Sequence, residues 1–249
     1  MDRRKKRRRS TSAAVYIPIA ALLVIFFMVY GTSAFLKIIS IEVEGSTRYT
    51  KAEIIAASGI MKGENLLLID TFDAERRIYM ELPFISEAKV MRSMPDTVRI
   101  DVRESAPLAA VAFRGIVAVL DSAGKVLRLS ESEQPELIQI RGFQPSEAAA
   151  GSVLKAVPDD ETKLKYLTQI LMAIDLTGIQ DAITYLDVTN IANINLDYNG
   201  RRVLLGGPED VRSKLEELPD RIAEVIAISQ DDTAGVFNMS RRPWTWVPG

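Results

Sequence analysis

Cysteine and histidine are both absent from the 249 residues of this chain. Disulfide bonds, cysteine nucleophiles and zinc sites with thiolate or imidazole ligands are therefore excluded, and so are Ser-His-Asp triads. Aromatic residues are scarce at 7%, and the only two tryptophans both lie close to the C-terminus. Any catalytic group would have to be a carboxylate, an amine or a hydroxyl, and the sequence predicts neither a cofactor nor a metal site.

Positive charge is concentrated at the N-terminus and sparse elsewhere. The chain has 31 Lys and Arg residues against 33 Asp and Glu, and seven of the basic residues lie at positions 3–9. The rest of the chain is clearly acidic, whereas a protein that binds duplex nucleic acid is more often basic over its folded part. We therefore expect no nucleic-acid partner, and no motif indicates a small-molecule substrate.

Long apolar runs are limited to one, the uncharged stretch 13–36, which directly follows the basic segment. As a helix its 24 residues would extend ~36 Å, enough to cross a hydrocarbon core of ~30 Å. We predict a basic cytoplasmic tail over 1–12 and a single-pass type II membrane anchor over 13–36, because basic flanks stay in the cytoplasm. A cleaved signal peptide, a nucleic-acid arm and a nuclear address are the alternatives.

The stretch 38–106 predicts a small α+β unit. Apolar residues alternate with polar ones from Ile39 to Val43, which is typical of a strand, and Thr50 with Glu53 forms a capping box before a helix. A second helix should end before Pro83, and two strands should follow, over 88–92 and 98–102. The predicted order is strand-helix-helix-strand-strand.

The stretch 107–240 predicts a second, β-rich unit with two helices, so the fold class is α+β. Hairpins are expected at 116–129 and around Asn199-Gly200, a strong turn signal. One helix should begin near Pro158, and a second, from about residue 209, should be broken or bent at Pro219. A last short strand is predicted over 235–239, followed by a C-terminal tail over 241–249.

Candidate catalytic patterns are weak. Ser-x-x-Lys occurs as Ser86/Lys89, Ser122/Lys125 and Ser152/Lys155, but the partner motifs of penicillin-binding enzymes are missing. The acidic clusters 159–161 and 231–232 lack the spacing of a calcium loop and are interpreted as helix capping and loop solvation. These patterns predict no catalytic residue.

The order of these segments resembles the FtsQ/DivIB family of bacterial cell-division proteins, which place a POTRA domain and a β-domain after a single membrane anchor. The residues that carry the resemblance are Ile41-Glu42-Val43-Glu44-Gly45, Leu82-Pro83-Phe84-Ile85, Met94-Pro95-Asp96-Thr97-Val98, Leu120-Asp121, Asn199-Gly200-Arg201 and Lys214-Leu215. The resemblance implies a non-enzymatic scaffold at the division septum. It also implies partners similar to the FtsB/FtsL pair, together with other division proteins bound outside the cytoplasm.

Partner binding is predicted at the end of the chain. In the family, the last β-domain strand and the residues after it form the docking surface, and this points here to Val236, Phe237, Asn238 and Met239. Composition adds Arg241, Trp244 and Trp246, because Trp and Arg dominate binding hot spots. We predict that this strand is an edge that accepts a partner strand. The alternative is a tail that packs on its own domain or is disordered.

Three functional hypotheses are compatible with the sequence. The favoured one is the scaffold in the bacterial cytoplasmic membrane, in which the unit 38–106 recruits division proteins or serves as a spacer. The second is a membrane-anchored cell-wall enzyme that uses a carboxylate or a Ser/Lys pair. The third is an outer-membrane assembly or secretion factor that contains a POTRA unit.

Overall fold

The structure, a computed structural model, describes residues 16–27, 36–229 and 235–248. The predicted cytoplasmic tail 1–12, parts of the predicted anchor 13–36 and the acidic pair 231–232 lie outside the described residues. In chain order the elements are α1 (16–27), β1 (Ser40–Glu44), α2 (Lys51–Ser58), α3 (Thr71–Glu81), β2 (Ile85–Ser93), β3 (Thr97–Glu104), β4 (Ala109–Phe113), β5 (Ile116–Leu120), β6 (Val126–Ser130), β7 (Ile138–Arg141), α4 (Glu161–Thr177), β8 (Ile183–Asp187), β9 (Ile194–Tyr198), β10 (Arg201–Gly206), α5 (Val211–Ser229), β11 (Gly235–Asn238) and β12 (Thr245–Pro248).

Helix α1 is the described part of the long apolar run. All of its side chains are exposed, including large apolar ones such as Phe27. Within the described ranges, no helix combines the length and the apolar character that a membrane crossing requires.

The first sheet confirms the predicted strand-helix-helix-strand-strand order. Its strand order is β1-β3-β2, and β1 pairs in parallel with β3, with Ser40 opposite Thr97. Helix α2 begins at the predicted capping box, in which Thr50 accepts from the backbone N–H of Glu53, and it ends at Gly59 in the left-handed conformation. The Asp70 carboxylate caps α3 by accepting from the N–H of Asp73 at 3.0 Å.

The second sheet has nine strands in the order β12-β11-β10-β9-β8-β7-β4-β5-β6. Helices α4 and α5 bury their apolar faces in one core with strands of this sheet. The members of that core include Leu167, Ile170 and Leu171 from α4, Leu215 and Leu218 from α5, and Leu196, Val203 and Phe237 from the strands. The predicted hairpins β5-β6 and β9-β10 are both present, the latter turning at Asn199-Gly200.

Two strands of the second sheet and one helix of the same unit differ from the sequence prediction. Strand β4 was not predicted, and residues 245–248, expected in a tail, form β12 along β11. Helix α5 runs through Pro219 without a break because Leu218 and Ile222 on either side of it are buried in the core. Packing of that face outweighs the local cost of the proline.

The chain divides into two compact units. The first comprises residues 1–77 and 88–102, and the second comprises residues 78–87 and 103–249. The end of α3 and the beginning of β2 thus belong to the second unit. The domain boundaries expected from the sequence, at 38–106 and 107–240, stay predictions.

Candidate partner-binding edge

Strand β12 lies at one edge of the nine-stranded sheet and determines which backbone groups are open to a partner. Strand β11, predicted to be the edge, is an interior strand: it pairs in parallel with β10 and antiparallel with β12. The prediction of β11 as an edge was therefore wrong. The neighbouring segment 245–248 has the β-branched and aromatic residues that favour a strand. It pairs with the side of β11 on which a partner strand was expected.

The four residues predicted on β11 and just after it divide between the core and the surface. Phe237 and Met239 are buried in the core of the second unit. Val236 and Asn238 are half-buried, and Asn238 accepts hydrogen bonds from the backbone N–H and the hydroxyl of Ser240. Of these four residues, only Val236 and Asn238 therefore have side chains that are partly open at the surface, while Phe237 and Met239 pack in the core.

Both tryptophans pack around Phe237. The ring centroids of Phe237 and Trp244 are 6.4 Å apart in an edge-on arrangement, and those of Phe237 and Trp246 are 6.5 Å apart. Gly235 makes room for Trp246, because a Cβ at Gly235 would lie 2.4 Å from the indole ring. The two tryptophans are thus held by packing within the second unit, and both stay half-exposed.

A groove of about 370 Å³ lies beside this aromatic cluster, between helix α5 and residues 242–244. Arg242 lies over the face of Trp244, 4.9 Å from its centroid, and also donates to Glu217 at 3.2 Å. Arg221 approaches the same ring at 5.9 Å and donates to Glu224 at 2.9 Å. The charged rim is largely exposed, so each ion pair contributes no more than about 1 kcal/mol.

The outward face of β12 is open to solvent. Val247 is 57% exposed, and Thr245 on the same face of the strand is exposed as well. Trp246 points the other way, and its indole Nε1 is buried without a hydrogen-bond partner in the described part of the chain. Sequence reasoning missed the contributions of Val247 and α5. The β-branched and aromatic run 245–247 is the signal that could have revealed β12.

Arg241 lies beside a second cavity, which Trp244 also lines. Its side chain is exposed and lines this cavity together with Met239 and Lys214. Lys214 donates to the carbonyl oxygen of Leu205 at 2.6 Å, and its partial burial lowers the pKa of its amine, while Glu209 and Asp210 oppose that shift. The structure thus brings Trp244, Trp246 and β11 together and places Arg241 at the margin.

The three Ser-x-x-Lys patterns do not form nucleophile-base pairs. Ser86 and Lys89 are three apart on β2, which places them on opposite faces of the strand. The Ser152 hydroxyl donates to the carbonyl of Ala149, and Lys155 pairs instead with Glu147 at 2.7 Å. In the third pattern Lys125 also bonds to groups other than its serine.

Lys125 is a fully buried lysine of the second unit. Its Nζ donates to the carbonyl oxygens of Tyr79 at 2.5 Å, Ile85 at 2.7 Å and Leu82 at 3.4 Å, and it lies 3.7 Å from the centroid of the Tyr79 ring. Burial lowers the pKa of Lys125 to about 8, and the Asp121 carboxylate opposes that shift. A cation at the carbonyl end of α3 caps the helix, which is a structural role.

The acidic clusters give no metal site among the residues that are described. No group of three or more carboxylates there is arranged to hold an ion. The cluster 159–161 lies at the start of α4, where Asp160 forms an ion pair with Lys163 at 3.0 Å. The cluster thus lies at a helix start, but the predicted capping is absent at Asp160, whose side chain makes no cap hydrogen bond.

Comparison with known proteins connects this architecture to bacterial cell division. Residues 36–105 match the POTRA domain of FtsQ type. The chain is 29% identical over 182 residues to the cell division protein DivIB of Clostridium botulinum, covering 73% of this chain and 70% of that protein. It is 32% identical over 126 residues to FtsQ of Caulobacter vibrioides, covering 50% and 41%, and 28% identical over 185 residues to FtsQ of Corynebacterium glutamicum, covering 72% and 75%.

Proposed function

We propose, from its membership of the FtsQ/DivIB family of cell-division proteins, that this chain is a scaffold that connects division proteins at the septum outside the cytoplasm. A role in cell division follows from the family, and the prediction that the protein is not an enzyme is confirmed by it.

The first part of the proposal is the membrane anchor. Residues 13–36 would cross the cytoplasmic membrane, with the basic residues at 3–9 on the cytoplasmic side. Helix α1, apolar and exposed all round, is the kind of surface that a lipid bilayer covers. Both compact parts after residue 36 would then lie outside the cytoplasm.

The second part is the capture of a partner strand. Strand β12 has one side paired with β11 and the other at the edge of the sheet, so its outer backbone groups are available for an added strand. Backbone hydrogen bonds would supply affinity, and contacts with Val247 and Thr245 would supply selectivity. The position of β12 at the end of the sheet, with no described strand beyond it, is the observation that carries this proposal.

The partner is proposed to be the FtsB/FtsL-like pair that the resemblance implies. A strand from the FtsB-like protein would add to β12, and its flanking residues would reach the groove at Trp244, Arg221 and Arg242. Trp244 and the two arginines are residue types that dominate hot spots. Their mutual stacking holds them in place before binding, which lowers the entropy cost of association.

The test replaces the exposed apolar residue of the edge with a charge. Val247→Lys places an ammonium group where the side chain of the added strand would pack, and edge lysines oppose strand addition. Leu129→Lys is the matched control: Leu129 is a similarly exposed apolar residue on β6, the strand at the opposite edge of the same sheet. Binding of the purified full chain to the FtsB/FtsL-like pair would be measured by titration.

Val247→Lys should weaken binding about tenfold or more, equivalent to about 1.4 kcal/mol, while Leu129→Lys should bind like the wild type. Equal thermal unfolding of both variants would confirm that the fold is intact. Unchanged binding by Val247→Lys, or an equal loss in both variants, would contradict capture at β12.

A further inference from the structure

Exposed apolar side chains in the first unit gather at one end of its sheet. Between residues 36 and 102 of that unit, the large apolar residues that are exposed are Ile39, Met61, Leu67, Leu68, Phe72 and Met94. Leu68 and Phe72 are 80% and 75% exposed, which is unusual for residues of this size in a folded domain. We call the region around Ile39, Leu67, Leu68, Phe72 and Met94 the Leu36 end, because Leu36 bonds there to the backbone of Leu66.

The strand register shows why these distant residues share one end. Strands β1 and β3 start side by side, and the N–H of Ile39 donates to the carbonyl of Asp96 at 2.8 Å. The turn between β2 and β3, which contains Met94, therefore lies next to the first residues of β1. Ile39 and Met94 are both at the Leu36 end.

The loop between α2 and α3 comes to the same end. Lys37 and Asn65 form an antiparallel bridge, and the N–H of Leu66 donates to the carbonyl of Leu36 at 2.7 Å. Because the pairing is antiparallel, the chain after Leu66 runs in the direction opposite to the chain after Leu36. Leu67 and Leu68 therefore lie beyond the start of this pairing. The turn that carries Leu67 and Leu68 is therefore at the extremity of the unit.

This turn is fixed in place by hydrogen bonds. Arg92 donates from Nε to the carbonyl of Leu66 at 2.9 Å and from Nη2 to the carbonyl of Ile69 at 2.6 Å. The N–H of Leu67 donates to the side chain of Asn65 at 2.9 Å, and α3 begins immediately afterwards at its Asp70 cap. The apolar side chains are thus held outward by an ordered backbone, and a surface of this kind marks a binding site.

We propose that the Leu36 end rests in the headgroup region of the membrane, with Leu67, Leu68 and Phe72 inserted at the acyl boundary. This inference rests on the proposed anchor, whose last residue is Leu36. Ile39 lies three residues after Leu36, about 10 Å of extended chain, so the anchor keeps this end close to the lipid surface. The bilayer is therefore the apolar phase nearest to these side chains.

Charges of both signs border the Leu36 end. Lys37 and Lys62 are exposed there, and each lysine near an anionic leaflet adds ~1 kcal/mol of attraction. The carboxylates keep their charge but are held by hydrogen bonds within the unit: Glu64 accepts from the N–H of Met61 at 3.1 Å, Asp70 caps α3, and Asp96 accepts from the hydroxyl of Thr97. The apolar side chains, rather than net charge, therefore carry the inference. Membrane contact would hold the first unit in one orientation above the bilayer.

Because the chain contains no cysteine, a single introduced cysteine can be labelled selectively. Leu68→Cys and Phe72→Cys would carry an environment-sensitive fluorophore in the full chain, reconstituted in phosphatidylcholine/phosphatidylglycerol vesicles with or without spin-labelled lipids. Lys51→Cys is the control, because Lys51 is exposed at the start of α2, at the opposite end of the unit. Flotation of the vesicles reports separately whether the anchor holds the chain.

We expect blue-shifted emission and strong quenching by lipids labelled near the headgroup at positions 68 and 72, and neither effect at position 51. Vesicles that float without the protein would overturn the anchor and, with it, this inference. Protein that floats while positions 68 and 72 stay unquenched would overturn the inference and leave the anchor intact. Equal quenching at position 51 would overturn the role of this particular end.

Discussion

The side chain of Lys125 has no exposed surface, and helix capping explains its burial. Removing an ammonium group from water is costly unless hydrogen bonds replace the lost solvation. Three backbone carbonyls and the face of Tyr79 surround Nζ, and one of the carbonyls, that of Tyr79, belongs to the last turn of α3. The last carbonyls of a helix lack intrahelical partners, so the lysine supplies a donor to a buried group at the end of α3.

Replacement of Lys125 by methionine should therefore lower the free energy of unfolding by about 1–3 kcal/mol, because buried carbonyls lose their donor. Lys155→Met is the matched control, since Lys155 belongs to the same sequence pattern but forms an exposed ion pair with Glu147. That variant should change stability by less than about 1 kcal/mol. Urea denaturation monitored by circular dichroism measures both, and equal stability of the two variants would contradict the capping role.

A comparison of the wild type with Lys125→Met also tests the titration of Lys125. Its pKa in the folded state, about 8, lies below its ordinary value of 10.5, so the unfolded chain binds more protons between these pH values. The unfolding free energy of the wild type should consequently rise relative to Lys125→Met as the pH increases from 8 to 10. The slope for one proton is at most about 1.4 kcal/mol per pH unit. A difference that stays constant or falls over this range would contradict the lowered pKa.

At the scale of elements, local signals predicted the helices and hairpins well. The Thr50 capping box, the left-handed glycines that end α2 and α4, and the Asn199-Gly200 turn each act within a few residues. Strands β4 and β12 were missed because they are short and their strand character depends on neighbours distant in sequence. The wrong prediction of β11 as an edge strand has the same cause: whether β11 is an edge depends on where β12 lies.

Pro219 illustrates how packing overrides a local preference. The proline removes one backbone donor from α5 and crowds the preceding turn, yet the helix continues from Val211 to Ser229 because its apolar face is buried. Pro219→Ala should restore that hydrogen bond and raise the unfolding free energy by about 1–3 kcal/mol. Thermal and urea unfolding, followed by a signal from the second unit, would measure the gain in unfolding free energy.

Pro158→Ala provides the control for this prediction. Pro158 occupies the first turn of the 3-10 helix that leads into α4, where the missing N–H has no helical partner to lose. The alanine variant at position 158 should be neutral or slightly less stable than the wild type. A loss of stability in Pro219→Ala would mean that α5 has adapted its packing to the proline.

At the scale of the whole molecule, anchoring is proposed for residues 13–36, membrane contact for the first unit and partner capture for β12. Charge is also unevenly distributed: the basic run lies at 3–9, and the rest of the chain is acidic. Sequence alone predicted the family, whereas the C-terminal docking surface and the bounds of the two units stay predictions. It could not predict which strand is open, because that depends on sheet order, nor that one end of the first unit displays fixed apolar side chains, because that depends on strand register.

Because localisation and partner capture are proposed for different parts of the chain, we expect that mutations can affect one without the other. A fluorescent protein fused before Met1, on the proposed cytoplasmic side, should give a midcell band with the wild-type chain. Val247→Lys should give the same band, because recruitment is proposed to depend on the first unit, but a labelled FtsB-like partner should no longer join it at midcell. Leu129→Lys should retain both bands. Uniform membrane fluorescence of the wild type would contradict a septal scaffold, whereas loss of the Val247→Lys band would show that the β12 edge also supports recruitment.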